Sequence, residues 1–216
     1  MDSKRIMDGS GWEAFTHGVF AVAITLLVLD IRVPDVATVD SGSALATALL
    51  NEIPRYAAYV LGFLCIGTYW INIHRAMRLT RGIDHGYIFI GLVFLMVIVA
   101  VPFVTALLAE YIGADNGRDK VALVVFTAWQ LVLALLATAW LGYTYRKRRL
   151  LIGPDISEAS VRTMLLLTAM GPLIWIVALA TALFANGTIT LVLIAVVYAM
   201  FLFDMPIREE PADPVS

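Results

Sequence analysis

Residues 15–31 read Phe15-Thr16-His17-Gly18-Val19-Phe20-Ala21-Val22-Ala23-Ile24-Thr25-Leu26-Leu27-Val28-Leu29-Asp30-Ile31, seventeen residues in which His17 is the one ionisable side chain before Asp30. At about 1.5 Å per helical residue this run nearly crosses the ~30 Å hydrocarbon core of a bilayer, so it predicts a membrane-spanning helix. Val22, Leu26 and Leu29 fall at i, i+4 and i+7, which stacks branched apolar side chains on one face, while Gly18, Ala21 and Thr25 place small residues on a flank. Small residues let helices approach closely in lipid, and a threonine hydroxyl bonds back to its own helix or across to a neighbour. The helix is expected to pack among others rather than serve as a lone anchor.

The rest of the chain repeats the pattern. Hydrophobic residues make up 61% of its 216 positions, a composition of polytopic membrane proteins. Further spans are expected over 56–73, 87–108, 121–143, 163–184 and 188–203, giving an all-α, six-span protein. Residues 1–205 read as a single six-helix domain, and 206–216, rich in charge and proline, as a short disordered cytosolic tail. Lys4 and Arg5 precede an apolar run too long for a secretory signal, so the first span is expected to be retained. Trp12 is placed to anchor at the interface, and Ser43 to Glu52 reads as a short outer amphipathic helix, with Pro54 opening the next one. Pro102 and Gly171-Pro172 predict bends within spans, and Asp155 with Glu158 resembles a capping box.

The net charge of −2 carries little information; its distribution carries more. Of the 15 basic residues, Lys4, Arg5, Arg75, Arg78, Arg81, Arg146, Lys147, Arg148, Arg149, Arg162 and Arg208 fall on the side of the termini. Only Arg32, Arg55, Arg118 and Lys120 fall on the other. The positive-inside rule then puts both termini of a multi-pass membrane protein in the cytosol. The run 146–149 reads as an anchor that touches anionic lipid headgroups.

Function classes narrow in the same way. A lone Cys65 excludes an intrachain disulfide and a cysteine metal cluster. No nucleic-acid module, phosphate-binding glycine loop or nucleophile motif is present, so neither nucleic acid nor an enzymatic role is expected. The spans hold almost no ionisable groups, and no inverted repeat is found, which weighs against an ion-coupled carrier. Asp30 and Asp204 lie at helix ends, and Gln130, the amide well inside a span, reads first as a hydrogen bond between helices. A channel needs no buried charge. Copies of the first helix meeting on an axis would ring Val22, Leu26 and Leu29 into an apolar constriction that excludes water until it widens; the plainer reading of the stripe is ordinary helix packing. Outside, Asp30, Asp35, Asp40, Glu52, Glu110, Asp115 and Asp119 face four basic residues and would concentrate cations, or simply solubilise loops.

The stretch 15–31 resembles the first helix of the bacterial branch of the transmembrane protein 175 family of potassium channels. The pattern there is R-x-x-x-F-S-D followed by G-V-F-A-I-A-I-T-L-L-V-L-[DE]-I. Here Phe15 is kept, Gly11 stands for the Arg, Thr16 for the Ser and His17 for the Asp, and the remainder matches closely. The resemblance implies a homotetramer with passive, potassium-favouring conduction of monovalent cations, potassium being the permeant ion and no cofactor being required. It places Val22, Leu26 and Leu29 at the constriction, Thr25 in the polar layer beside it and Asp30 at the outer mouth. It also implies an inner cluster of Phe15, Thr16, His17, Trp70 and His74, with His74 as counterpart of a family histidine four residues after Trp70 on one helix face.

With Gly11 lacking a side chain and His17 replacing a carboxylate, that cluster cannot form in the family's way. Two adjacent imidazoles would share a proton, and as free imidazole titrates near pH ~6.5 the inner mouth would then respond to acidification; interfacial histidines without a role are the plainer reading. No metal site is expected, because no spaced cysteine or carboxylate partner is evident beside the histidines. Two rivals stand: a family-derived protein that no longer conducts, and a small-solute carrier or membrane enzyme that uses Gln130, His74 or Tyr143 in a cavity inside one protomer.

Overall fold

The computed structural model describes residues 9–35, 37, 39–114, 116–147, 151–152, 158–185 and 187–203. The expected N-terminal polar segment, the basic run beyond Lys147, Asp155 of the capping pair, Asp115, Asp204 and the tail 206–216 lie outside them.

The described residues are almost entirely helical. Helix α1 is Ser10–Leu26 and tightens into a 3-10 turn over Leu27–Asp30. The outer helix α2, Gly42–Asn51, begins where the Ser41 hydroxyl accepts the Ala44 N–H at 3.2 Å, and it buries none of its side chains. Then come α3 (Ile53–Arg78, with Pro54 in its first turn), α4 (His85–Ile98), α5 (Val101–Tyr111), α6 (Arg118–Arg146), α7 (Glu158–Phe184) and α8 (Gly187–Phe203). Among the described residues no strand occurs; Thr80 and Ile152 form an isolated antiparallel bridge. Five segments are long and apolar enough to cross a membrane: Ser10–Asp30, Ile53–Arg78, His85–Tyr111, Arg118–Arg146 and Val161–Phe184. The sixth expected span corresponds to α8, a shorter apolar helix of 17 residues.

Helix α6 is the hub, packed against α7 along its length and touching α4, α5 and α8; α1 lies against α3 and α4. Phe20, Leu27, Ile66, Phe94, Ile98, Leu123, Phe126 and Leu133 close the core, while large apolar side chains such as Phe89, Met96, Phe103, Leu173 and Phe184 face outward. A soluble monomer rarely carries so much outward apolar surface. In hydrocarbon that surface is no penalty, and a helix satisfies most of its backbone bonds within itself.

The prolines act differently. The third expected span divides before Pro102, which sits in the first turn of α5, where its missing N–H costs no helical bond. Near the break, the Trp129 indole N–H donates to the Val97 carbonyl at 3.1 Å. Pro172 instead stays inside a continuous α7. Its ring leaves the Thr168 carbonyl without the usual partner four residues on, and the Thr138 hydroxyl of α6 donates to that oxygen at 3.3 Å.

Trp12 does not merely rest at an interface. Its ring packs into the bundle, edge-on to Trp140 at 6.2 Å and over Gly91, where a Cβ would come within 2.5 Å of the Trp12 ring and 2.8 Å of Trp140. Gly91 is therefore the residue that admits both indoles to α4.

Candidate functional site

Helix α1 has two unlike faces. Thr16, Phe20, Ala23 and, in the 3-10 turn, Leu27 are buried against the bundle. Gly62 of α3 lets that turn approach: a Cβ there would lie 2.6 Å from the Leu27 side chain. The opposite face is bare. Val22 is 54% exposed, Leu26 38% and Leu29 73%, with Gly18, Ala21 and Thr25 also exposed. The stripe is thus not consumed by packing within one chain. The 3-10 turn over Leu27–Asp30 was not expected from sequence, and its tighter winding, three residues per turn, sets the direction of Leu29 at the end of the stripe. Thr25 turns its hydroxyl back to the Val22 carbonyl at 2.9 Å, leaving its methyl and oxygen lone pairs on the open face.

At the first turns of α1 the structure brings together three members of the expected inner cluster. His17 Nε2 and His74 Nδ1 are 3.3 Å apart. Trp70 stacks on His74 with ring centroids 5.4 Å apart and planes 10° from parallel, and its centroid is 5.9 Å from that of His17. Phe15 and Thr16 serve elsewhere: the Phe15 ring is half exposed and leans on Trp12 at 5.8 Å, and the Thr16 hydroxyl is buried without a hydrogen-bond partner. Glu13, passed over in the sequence, joins the histidines, with Oε1 3.8 Å from His74 Nδ1. The signal was there in the spacing, since Glu13 and His17 are four apart on one helix face.

At the far end of α1, Asp30 borders a cavity of about 330 Å3 that also takes in Arg32, Arg55, Tyr59, Thr105 and Glu110. Arg55 holds Glu52 at 2.5 Å and Glu110 at 2.6 Å. One guanidinium thus offsets one of the two carboxylate charges, and the trio keeps a net charge of −1. The Asp35 and Asp119 carboxylates each accept a nearby backbone N–H, from Ala37 at 2.9 Å and from Lys120 at 2.7 Å.

Gln130, His74 and Tyr143 line neither this cavity nor the small one beside Tyr87 and Trp140. Gln130 is buried and ties α6 to two other helices: its amide exchanges hydrogen bonds with Cys65 of α3 at 3.1–3.3 Å and donates to the Tyr198 hydroxyl of α8. Tyr69 adds a bond to the Gln130 backbone carbonyl at 3.4 Å. That is the helix-to-helix role. Gln130→Met is therefore expected to lower thermal stability by about 1–2 kcal/mol, by orphaning Tyr198, while leaving ion flux unchanged; melting and flux on one preparation check both. Tyr143 belongs to a different network. Its hydroxyl donates to the Asp84 carboxylate at 2.9 Å, and Lys147 closes the group with Nζ 2.6 Å from Asp84 Oδ2.

Comparison with known proteins bears on the family of the chain. The sequence profile of the family described as endosomal/lysosomal potassium channel TMEM175 matches residues 12–102, the stretch that contains α1 and the cluster at its start. A potassium channel of Streptomyces collinus is 36% identical over 205 residues, covering 93% of this chain and 96% of that protein. The crystal structure of a lysosomal potassium-selective channel TMEM175 homolog from Chamaesiphon minutus superposes with a TM-score of 0.76 at 31% identity, covering 88% of this chain and 94% of that one. The human endosomal/lysosomal proton channel TMEM175 is 44% identical over 68 residues, which is 29% of this chain and 13% of that protein.

Proposed function

The chain belongs to the TMEM175 family, alongside its bacterial members, and from that premise we propose that it is a potassium-favouring cation channel whose pore is lined by α1. The observation that carries this reading is the uncovered apolar face of Val22, Leu26 and Leu29, which a single chain leaves unburied beside a fully packed opposite face. Four copies meeting on that face make a ring without charge. Water leaves such a ring readily, so it is closed to ions while narrow and passes them only when it widens. Thr25 adds a polar layer, and Asp30 stands at the outer end, where its charge favours cations. Selectivity then comes from dehydration: potassium is larger and sheds water more easily than sodium, so discrimination is modest and in its favour.

In this reading residues 1–205 form one domain of six spans with both termini cytosolic, as the excess of Lys and Arg at the ends of α3 and α6 supports. The assembly is a homotetramer in the cytoplasmic membrane of a bacterium, bathed in lipid, with no cofactor. A second reading draws on Gly11 and His17, which remove the side chains of the family's inner motif: a member that assembles but does not conduct.

Leu29→Cys tests the placement. Cys65 is buried and does not compete for oxidation, whereas position 29 is largely exposed. Mild oxidation in the membrane is expected to link neighbouring chains through the thiol introduced at position 29, and potassium uptake into liposomes is expected to fall on linking. Chains that stay single after oxidation, with uptake unaltered, would place this face against lipid. Chains that link on oxidation but take up no potassium even before it would select the non-conducting reading.

A further inference from the structure

The group at the start of α1 is built for more than a hydrogen bond between two imidazoles. Glu13 and His17, one turn apart on α1, and His74 near the end of α3 each direct a ligand atom to one spot, and these atoms lie within 4.8 Å of one another. We propose that Glu13, His17 and His74 bind a transition-metal dication, zinc first among them, which bridges the first turns of α1 to the last turns of α3. The proposal does not depend on conduction.

The distances favour it. Zinc bonds imidazole nitrogen and carboxylate oxygen at about 2.0–2.2 Å, which in a tetrahedron sets ligand atoms about 3.3–3.5 Å apart. His17 Nε2 and His74 Nδ1 are already 3.3 Å apart. Glu13 Oε1, 3.8 Å from His74 Nδ1 and within 4.8 Å of the imidazole ligand atoms, is beyond hydrogen-bond reach and closes on the spot by a rotamer adjustment of a partly exposed glutamate. The cluster is therefore assembled but not satisfied within itself.

The surroundings fit a metal site as well. Two ligands sit at i and i+4 on one face of one helix, and Trp70, stacked on His74, fixes the plane of the third. Side chains of Glu13 and His74 are 42% and 33% exposed, so an ion has access from solvent. Two imidazoles and one carboxylate suit zinc, cobalt, nickel or copper, whereas magnesium and calcium take oxygen ligands. Three protein ligands leave a fourth position for water. His17 is the decisive member, because an aspartate there would leave one nitrogen and two carboxylates.

The test uses the full chain purified in detergent without a polyhistidine tag, with cobalt as a coloured probe. One cobalt per chain is expected, with the strong visible bands of four-coordinate geometry, displaced by zinc but not by excess magnesium. His17→Gln should weaken cobalt binding by more than about tenfold, the low end of what even outer-shell changes cost a metal site. Glu13→Gln should weaken it less, and His85→Gln, outside the cluster, should leave it unchanged. Zinc should raise the melting temperature of the unaltered chain and not that of His17→Gln. If His17→Gln does not fold, Glu13→Gln and His74→Gln carry the comparison, since both positions are partly exposed. No saturable cobalt band, equal affinity in all ligand variants, or displacement by magnesium as readily as by zinc would each overturn the proposal.

Discussion

Leu26→Ser chains in liposomes are expected to leak potassium about tenfold faster than unaltered chains and to discriminate less against sodium. The cost of wetting an apolar ring is what keeps it shut. Fully exposing a leucine side chain to water costs about 2 kcal/mol, and relieving a barrier by only ~1.4 kcal/mol multiplies a rate about tenfold. In the proposed tetramer, four serines in place of four leucines remove that penalty several times over. Water then enters the constriction, ions cross with more of their hydration intact, and the dehydration difference between potassium and sodium shrinks. Folding should be little affected, because Leu26 is 38% exposed in the single chain and lies outside the buried core. Leu173→Ser is the control: Leu173 is an exposed apolar residue of α7, away from the α1 face, so its flux and selectivity should match those of the unaltered chain. Equal flux and equal ion preference in Leu26→Ser would remove α1 from the pore.

The reach of the sequence is clear from particular residues. Helical periodicity and hydropathy were sufficient for the element order: α3, α6 and α7 begin and end within a few residues of the expected spans, because long apolar runs with basic ends have one stable answer in lipid. The division before Pro102 was legible as a bend but not as two helices, since whether a proline kinks a helix or starts a new one depends on what its neighbours supply. Pro172 shows the other outcome, with Thr138 of α6 serving the freed carbonyl. The family motif located the face of α1, but periodicity could not reveal that this face is left open while the Phe20 face is packed. What escaped was pairing across long sequence distances. Gln130 with Cys65 and Tyr198, Arg55 with Glu110, and Asp84 with Lys147 unite residues at least 55 positions apart, and no local pattern encodes which helices are neighbours. Glu13 is the instructive exception, because its spacing to His17 was visible, but its approach to His74 required the crossing of α1 and α3.

Asp84→Ala is expected to destabilise the fold by about 3 kcal/mol, the largest stability loss anticipated for a single polar residue here. Its carboxylate caps α4 by accepting the Tyr87 N–H at 2.9 Å and pairs with Lys147 at 2.6 Å, while Tyr143 donates to it. Losing a cap costs ~1 kcal/mol and losing charge-assisted bonds ~1.5–3 kcal/mol, with Lys147 left unpaired. Asp84→Asn separates the two contributions, because the amide oxygen still caps the helix while the charge is gone. Acid supplies the second arm. Burial pushes the Asp84 carboxyl up, but hydrogen bonds from Lys147, the Tyr87 N–H and Tyr143 outweigh it and hold the group at about 2, below the ordinary 3.8. A group whose folded value is depressed stabilises fully above its unfolded value and loses that contribution as pH falls through the folded one, so roughly 2 kcal/mol should drain between about pH 4 and pH 2. Melting temperatures between about pH 5 and pH 2.5 should therefore fall more steeply for the unaltered chain than for Asp84→Asn, which has no such contribution to lose. Because the network ties the start of α4 to the end of α6 and touches nothing on the α1 face, potassium flux at neutral pH should survive in Asp84→Asn. Parallel melting curves for the two chains would show that the carboxylate carries no special charge-dependent load, and a lost flux in a well-folded Asp84→Asn chain would bring this end of the bundle into the conduction path.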